Sequence, residues 1–139
     1  MTDQSDCIVG LGARVRIFVR PAFRQRFTAL FRDVLGCKVI ERDFGLTHPI
    51  LFVPFPDGSG FSVEFSELAP GEYTANTIDD EHAFHGAWIE FRTADLPGCK
   101  QRLRDAGVAE FRHPGSTHSY FSAPGGQVFR LLDLAYKGP

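Results

Sequence analysis

The sequence predicts an α+β domain built from two copies of one strand–helix–three-strand unit, and three observations predict it. Alternating apolar runs recur in the same order on either side of a polar stretch. An amphipathic helical pattern follows the first run of each half. Landmarks in the two halves also keep similar separations, since Arg14 and Trp88, Gly36 and Gly107, and Pro56 and Pro124 stand 74, 71 and 68 residues apart. Such a drift is what unequal loops produce between two copies of a unit.

In the first copy (12–68), "ARVRIFV" (13–19) reads as a strand with Val15, Ile17 and Val19 on one face. Pro21 opens a helix whose apolar stripe is Phe23, Phe27, Leu30, Phe31, Val34 and Leu35, and Gly36 is placed to end it in a left-handed conformation. Strands follow at 37–44, 49–55 and, after the turn "PDGSG", 61–68. Residues 69–84 lose periodicity and collect Pro, Gly, Asn and acids, as a surface connection does.

The second copy (85–135) opens with "HGAWIEFRTADL", where Ala87, Ile89 and Phe91 alternate with Trp88, Glu90 and Arg92. Asp95 is placed as the N-cap of a helix with the stripe Leu96, Cys99, Leu103 and Ala106, ended by Gly107. Strands at about 108–112 and 117–122, the turn "APGGQ" and a last strand at 128–135 complete it. Each unit has an oily face covered by its helix. Two units side by side then turn their other faces toward a shared hollow, which Trp88, Glu90 and Arg92 line.

Bulk properties confine the whole chain, 1–139, to a single domain that can bury a core without staples. A net charge of −2 gives no electrostatic case for nucleic acid or an anionic membrane. Cys7, Cys37 and Cys99 are scattered without metal-ligand spacing, and the first ten residues are polar. These features point to a reduced, cytoplasmic protein without a membrane span.

"FRDVLGCKV" (31–39), the twice-repeated element order, "TADLPGCKQRLRDAG" (93–107) and "APGGQVFRLLDL" (123–134) together resemble the vicinal oxygen chelate superfamily, which includes glyoxalase I, extradiol dioxygenases, fosfomycin-resistance enzymes and bleomycin-resistance proteins. The likeness spans about residues 12–135. It implies two βαβββ modules forming an eight-stranded, partly open barrel-like cleft, a homodimer, and, in the metal enzymes, one divalent ion held from the first and last strands of each module.

Carried over position by position, those ligand places fall on Arg14 and Trp88 in the first strands and on Glu64 and Arg130 in the last. Only Glu64 can bind a metal, because guanidinium and indole offer donors and no acceptor. A divalent ion about 5 Å from one guanidinium is repelled by about 7 kcal/mol at an effective dielectric of about 20. Neither a metal, a cofactor nor a catalytic group is therefore expected. His48, His82, His85, His113 and His118 read as loop or surface residues.

Two readings of the remaining cluster stand open. Glu64 bridges Arg14 and Arg130 as a purely structural tie, or one arginine stays free to take the carboxylate, phosphate or sulfonate of a small molecule. Arg16 and Phe18 share the face of Arg14, and Glu90 that of Trp88, so the candidate ligand-binding residues are Arg14, Arg16, Phe18, Glu64, Trp88, Glu90 and Arg130. Trp88 either stacks on a flat ring or an arginine, or plugs the cleft. The leading expectation is metal-free binding of a small, flat molecule, anionic ones included, in the manner of drug-sequestering resistance proteins. The alternative is a metal-dependent lyase, isomerase or dioxygenase of glyoxalase type with an atypical ligand set.

Overall fold

In a computed structural model that describes residue 12 and residues 14–69, 87–112 and 117–137, the chain forms two four-stranded mixed sheets. The first contains β1 (Arg16–Val19), β2 (Ile40–Arg42), β3 (Ile50–Pro54) and β4 (Gly60–Phe65) in the order β1-β4-β3-β2. The second contains β5 (Trp88–Thr93), β6 (Glu110–Phe111), β7 (Tyr120–Ser122) and β8 (Val128–Asp133) in the order β5-β8-β7-β6. In both, the first strand runs parallel to the last, and the other pairs are antiparallel. The parallel pair needs a crossover, which the helix supplies.

The helix expected from Pro21 onward forms with three geometries in succession. A 3₁₀ turn (Pro21–Phe23) leads into α1 (Arg24–Ala29), which ends in a π turn (Leu30–Val34). The Cys37 N–H then reaches Phe31 O at 2.7 Å across Gly36, whose φ of +70° admits no side chain without strain. Helix α2 (Leu96–Asp105) starts where Asp95 accepts a hydrogen bond from the Gly98 N–H, as its N-cap position predicts, and ends before Gly107 at φ +77°.

The repeat is exact enough to be read from hydrogen bonds. In the β3–β4 turn Phe55 N–H donates to Ser59 O and Gly58 N–H to Phe55 O; in the β7–β8 turn Ala123 N–H donates to Gln127 O and Gly126 N–H to Ala123 O. Past the parallel strands, Ser66 N–H donates to Val19 O and Leu134 N–H to Thr93 O. The turn prolines and the first strands therefore keep the offsets of 68 and 74 found in the sequence.

One core serves both halves, whereas the sequence suggested an oily face per unit covered by its own helix. Phe31 leaves the π turn to contact Phe27 and Phe61 of its own half and Phe91 and Phe129 of the other, with centroids 4.9–6.3 Å apart. Phe55 and Phe61 also meet Phe91. Aromatic edges and faces interlock here because tilted and T-shaped pairs are favoured over sandwiches. Cys37 and Cys99 belong to this apolar mass, as expected of small hydrophobes. Burial, with Cys99 adding to it, pushes the Cys37 thiol up and away from thiolate chemistry.

Candidate functional site

Alternation along the strands assigns the other face of each sheet. On the first sheet it carries Arg16, Phe18, Phe52, Ser62 and Glu64; on the second, Trp88, Glu90, Arg92, Tyr120, Val128, Arg130 and Leu132. The two faces differ in exposure. Phe18 is 52% exposed, whereas Arg130 is 9% exposed and Tyr120, Val128 and Leu132 are buried. The face that holds Trp88 is thus covered over its central strands, and Trp88 itself, at the edge strand β5, is 43% exposed.

On the first sheet, Arg16 donates from Nε to Ser62 Oγ at 2.7 Å and from Nη1 to Glu64 Oε1 at 3.3 Å. The ladder register places Arg16 beside Ser62 and Phe18 beside Glu64, so the guanidinium has to lean two residues along the strand to reach Glu64. Both charged side chains are partly solvated, and a pair of this kind contributes about 1 kcal/mol or less. Arg14, two residues earlier, lines a hollow of about 240 Å³ with Phe52, Ser62 and the Gly58–Gly60 turn. Among the described residues no hydrogen bond or ion pair engages Arg14.

On the second sheet, Arg130 donates from Nε and Nη2 to Glu90 Oε1 at 3.2 and 2.8 Å, and Arg92 donates to the second oxygen, Oε2, at 3.2 Å. The Arg130 guanidinium carbon sits 4.2 Å from the Trp88 ring centroid. Tyr120, opposite Arg130 on β7, accepts a further hydrogen bond from it and presents its ring edge-on to Trp88 at 6.0 Å. Burial works against the Arg130 charge, and the bonds to Glu90 and Tyr120 outweigh it, so its pKa is raised. Burial likewise opposes ionisation of Glu90, and the two arginines outweigh it, holding the carboxyl below its ordinary range.

These contacts revise the expected bridge of Glu64 between Arg14 and Arg130. Glu64 pairs with Arg16, and Arg130 pairs with Glu90; each cluster draws its hydrogen-bonded and stacked partners from its own half. The counterpart of Arg130 also shifts. The turn offset of 68 matches Arg130 with Ser62 and Glu64 with Leu132, two residues from the expected pairing of Glu64 with Arg130. Tyr120 joins this cluster without being among the candidate residues read from the sequence. Counting back from the β7–β8 turn would have found it, because that turn sets Tyr120 against Arg130.

The donor set does not fit a divalent ion. Arg14, Trp88 and Arg130 bring hydrogen-bond donors, and a guanidinium already stacks on the indole. Among the described residues no three His, Cys, Asp or Glu side chains gather as a metal site. His48 lies outside the clusters, and the His118 ring meets the Tyr136 hydroxyl at 3.0 Å. His82, His85, His113, Cys7 and the connection from residue 70 onward lie outside the described residues.

No model of a known family matches the chain, and no curated protein does. Solved structures do. An antibiotic-binding protein from a Streptomyces species aligns at 18% identity with a TM-score of 0.60, covering 91% of this chain and 98% of its own. A glyoxalase/dioxygenase from Nostoc punctiforme aligns at 15% identity and a TM-score of 0.64, covering 87% and 89%. A fosfomycin resistance protein from Mesorhizobium loti aligns at 18% identity and a TM-score of 0.54, covering 90% and 92%. With its two strand–helix–three-strand units and mixed sheets, the chain has the glyoxalase/bleomycin-resistance fold that its resemblance to the vicinal oxygen chelate superfamily implies.

Proposed function

We propose that the chain is a metal-free small-molecule-binding protein, holding a small, flat molecule with an anionic group in the manner of resistance proteins that sequester a drug. The observation that carries this reading is the contrast between two arginines. Arg130 is spent on Glu90, Tyr120 and Trp88, while Arg14 has no hydrogen-bond or ion-pair partner among the described residues and lines a hollow together with Phe52 and Ser62. A planar, always-charged fork beside an aromatic wall suits an aromatic carboxylate, phosphate or sulfonate. Arg16, Phe18 and Glu64 belong to the wall of the same face; Trp88, Glu90 and Arg130 form a second wall, on which Trp88 is partly exposed. The structural relatives include an antibiotic-binding protein and a fosfomycin resistance protein, which supports the ligand class at the level of fold.

The working form in this reading is a cytoplasmic homodimer. β1 and β5 are edge strands, and they carry the exposed Phe18 and Trp88, a combination that favours a neighbouring chain. No helix among the described residues is long and apolar enough to cross a membrane.

The test is titration of a panel of aromatic acids into metal-analysed protein, read by melting temperature and Trp88 emission. Members that bind raise the melting temperature with concentration, and Arg14→Ala weakens them without loss of fold. A panel without effect, or stoichiometric transition metal lost on Glu64→Ala, overturns the proposal.

A further inference from the structure

The two halves meet at two equivalent junctions, and the junctions are not alike. At one, the β7–β8 turn lies against the end of β1: a Cβ placed on Gly125 would come within 2.8 Å of Val19 Cγ1, and Val19 is 1% exposed. The offsets of 68 and 74 carry Gly125 to Asp57 and Val19 to Thr93. At that second junction the two residues line, with β5 and Leu134, a hollow of about 540 Å³. Its opening has a local cause. Asp57 brings a side chain where the other turn has none, and the Thr93 hydroxyl is turned away to the Asp95 N–H and to Cys99 Sγ, serving the start of α2.

The hollow is built like a binding site. Phe55 and Phe91, 5.7 Å apart and edge-to-face, form its apolar floor. Its charged groups are Asp57, Glu90 and Arg92. Arg92 is occupied: it donates to Glu90 Oε2 and to the carbonyls of Leu134 and Tyr136. Asp57 is only half occupied. Its Oδ1 accepts from the Ser59 N–H and hydroxyl at 2.9 and 2.5 Å, bonds that hold the carboxyl below its ordinary range, and no hydrogen bond among the described residues engages Oδ2. Glu90 is offset by Arg92 and Arg130, so the acceptor left unspent beside the aromatic floor is Asp57 Oδ2, the inverse of the Arg14 hollow.

We infer that the hollow between the β3–β4 turn and β5 binds a small organic cation, its ammonium at Asp57 and its apolar body on Phe55 and Phe91.

Benzylamine, which is protonated at neutral pH, is the probe, with benzoate and benzyl alcohol as its anionic and neutral counterparts. Amide chemical shifts of the full chain are followed during each titration. Benzylamine is expected to shift the amides of Phe91–Ala94, which line this hollow and not the Arg14 hollow, saturably, benzyl alcohol to do so more weakly, and benzoate to leave them in place. Asp57→Asn, which keeps the bonds from Ser59, weakens benzylamine about threefold, the yield of an exposed ion pair, and leaves the alcohol unchanged. Ala94→Phe fills the hollow and removes both. Benzoate shifting these amides as strongly as benzylamine, an unresponsive set of amides, or binding indifferent to Asp57→Asn would overturn the inference.

Discussion

The guanidinium of Arg130 is clamped between two groups on β5: Glu90 Oε1, reached at 2.8 and 3.2 Å, and the Trp88 ring, 4.2 Å away. Glu90 and Trp88 can act together because both are on the same face of one strand, two residues apart, with Arg130 directly beside Glu90 on β8. Replacing Arg130 with Met keeps bulk and removes the clamp, leaving Glu90 with Arg92 alone. Urea unfolding should show a loss of about 1–3 kcal/mol, the cost of a partly buried charge deprived of its hydrogen bonds. Arg130→Lys should recover little of it, since an ammonium cannot reproduce the fork and the stacked plane together.

Acid should undo the same clamp. The Glu90 carboxyl sits below its ordinary 4.5 in the fold, so its contribution is present at neutral pH and is lost as pH falls through that lowered value. Emission from Trp88, the only tryptophan, should change with a midpoint below 4.5 as Arg130 is released. Glu90→Gln should abolish the transition. Glu110, lowered despite its burial by Ser119, Lys100 and Arg104, adds to acid destabilisation without moving the indole signal.

Phe31 joins the halves, and its removal should be felt in both. Phe31→Ala leaves a cavity among Phe27, Phe61, Phe91 and Phe129 and is expected to cost about 3–5 kcal/mol in denaturant unfolding. A double-mutant cycle with Phe91→Leu should give a coupling of about 0.5 kcal/mol or more, because the two rings touch across the junction.

Gly125→Ala should destabilise by about 1–3 kcal/mol, for the residue has φ +98° and its new methyl would meet Val19 Cγ1. Val19 is β-branched and cannot rotate away without cost. Val19→Ala should therefore relieve part of the loss, making the double variant more stable than the two single effects added together. Strict additivity, measured by thermal unfolding, would exclude the contact.

The order of elements was legible in the sequence because each depends on local chemistry. Strand alternation marked Ile17, Val19 and Phe91 as core-facing; Asp95 and Gly107 bounded α2 through a side-chain cap and a positive φ. The candidate faces were legible by the same alternation, which is why Arg16, Glu64, Trp88, Glu90 and Arg130 do stand on the faces opposite the core. Partner choice was not. Glu64 had three arginines within reach of a plausible register, and the choice of Arg16 follows from the lean of one side chain along a parallel ladder.

What the sequence determined by itself is the repeat, its offsets and the phase of the strands that carry the candidate residues, since period two and the turn glycines are properties of the backbone alone. Only the tertiary structure decided that the oily faces merge into one core through Phe31, that Arg130 is consumed by Glu90 and Trp88, and that one junction closes on Gly125 while its counterpart at Asp57 stays open. The reason is physical: pairing between residues 40 or more positions apart depends on how two units dock, and docking is set by side-chain volume at a few contacts that no local pattern records.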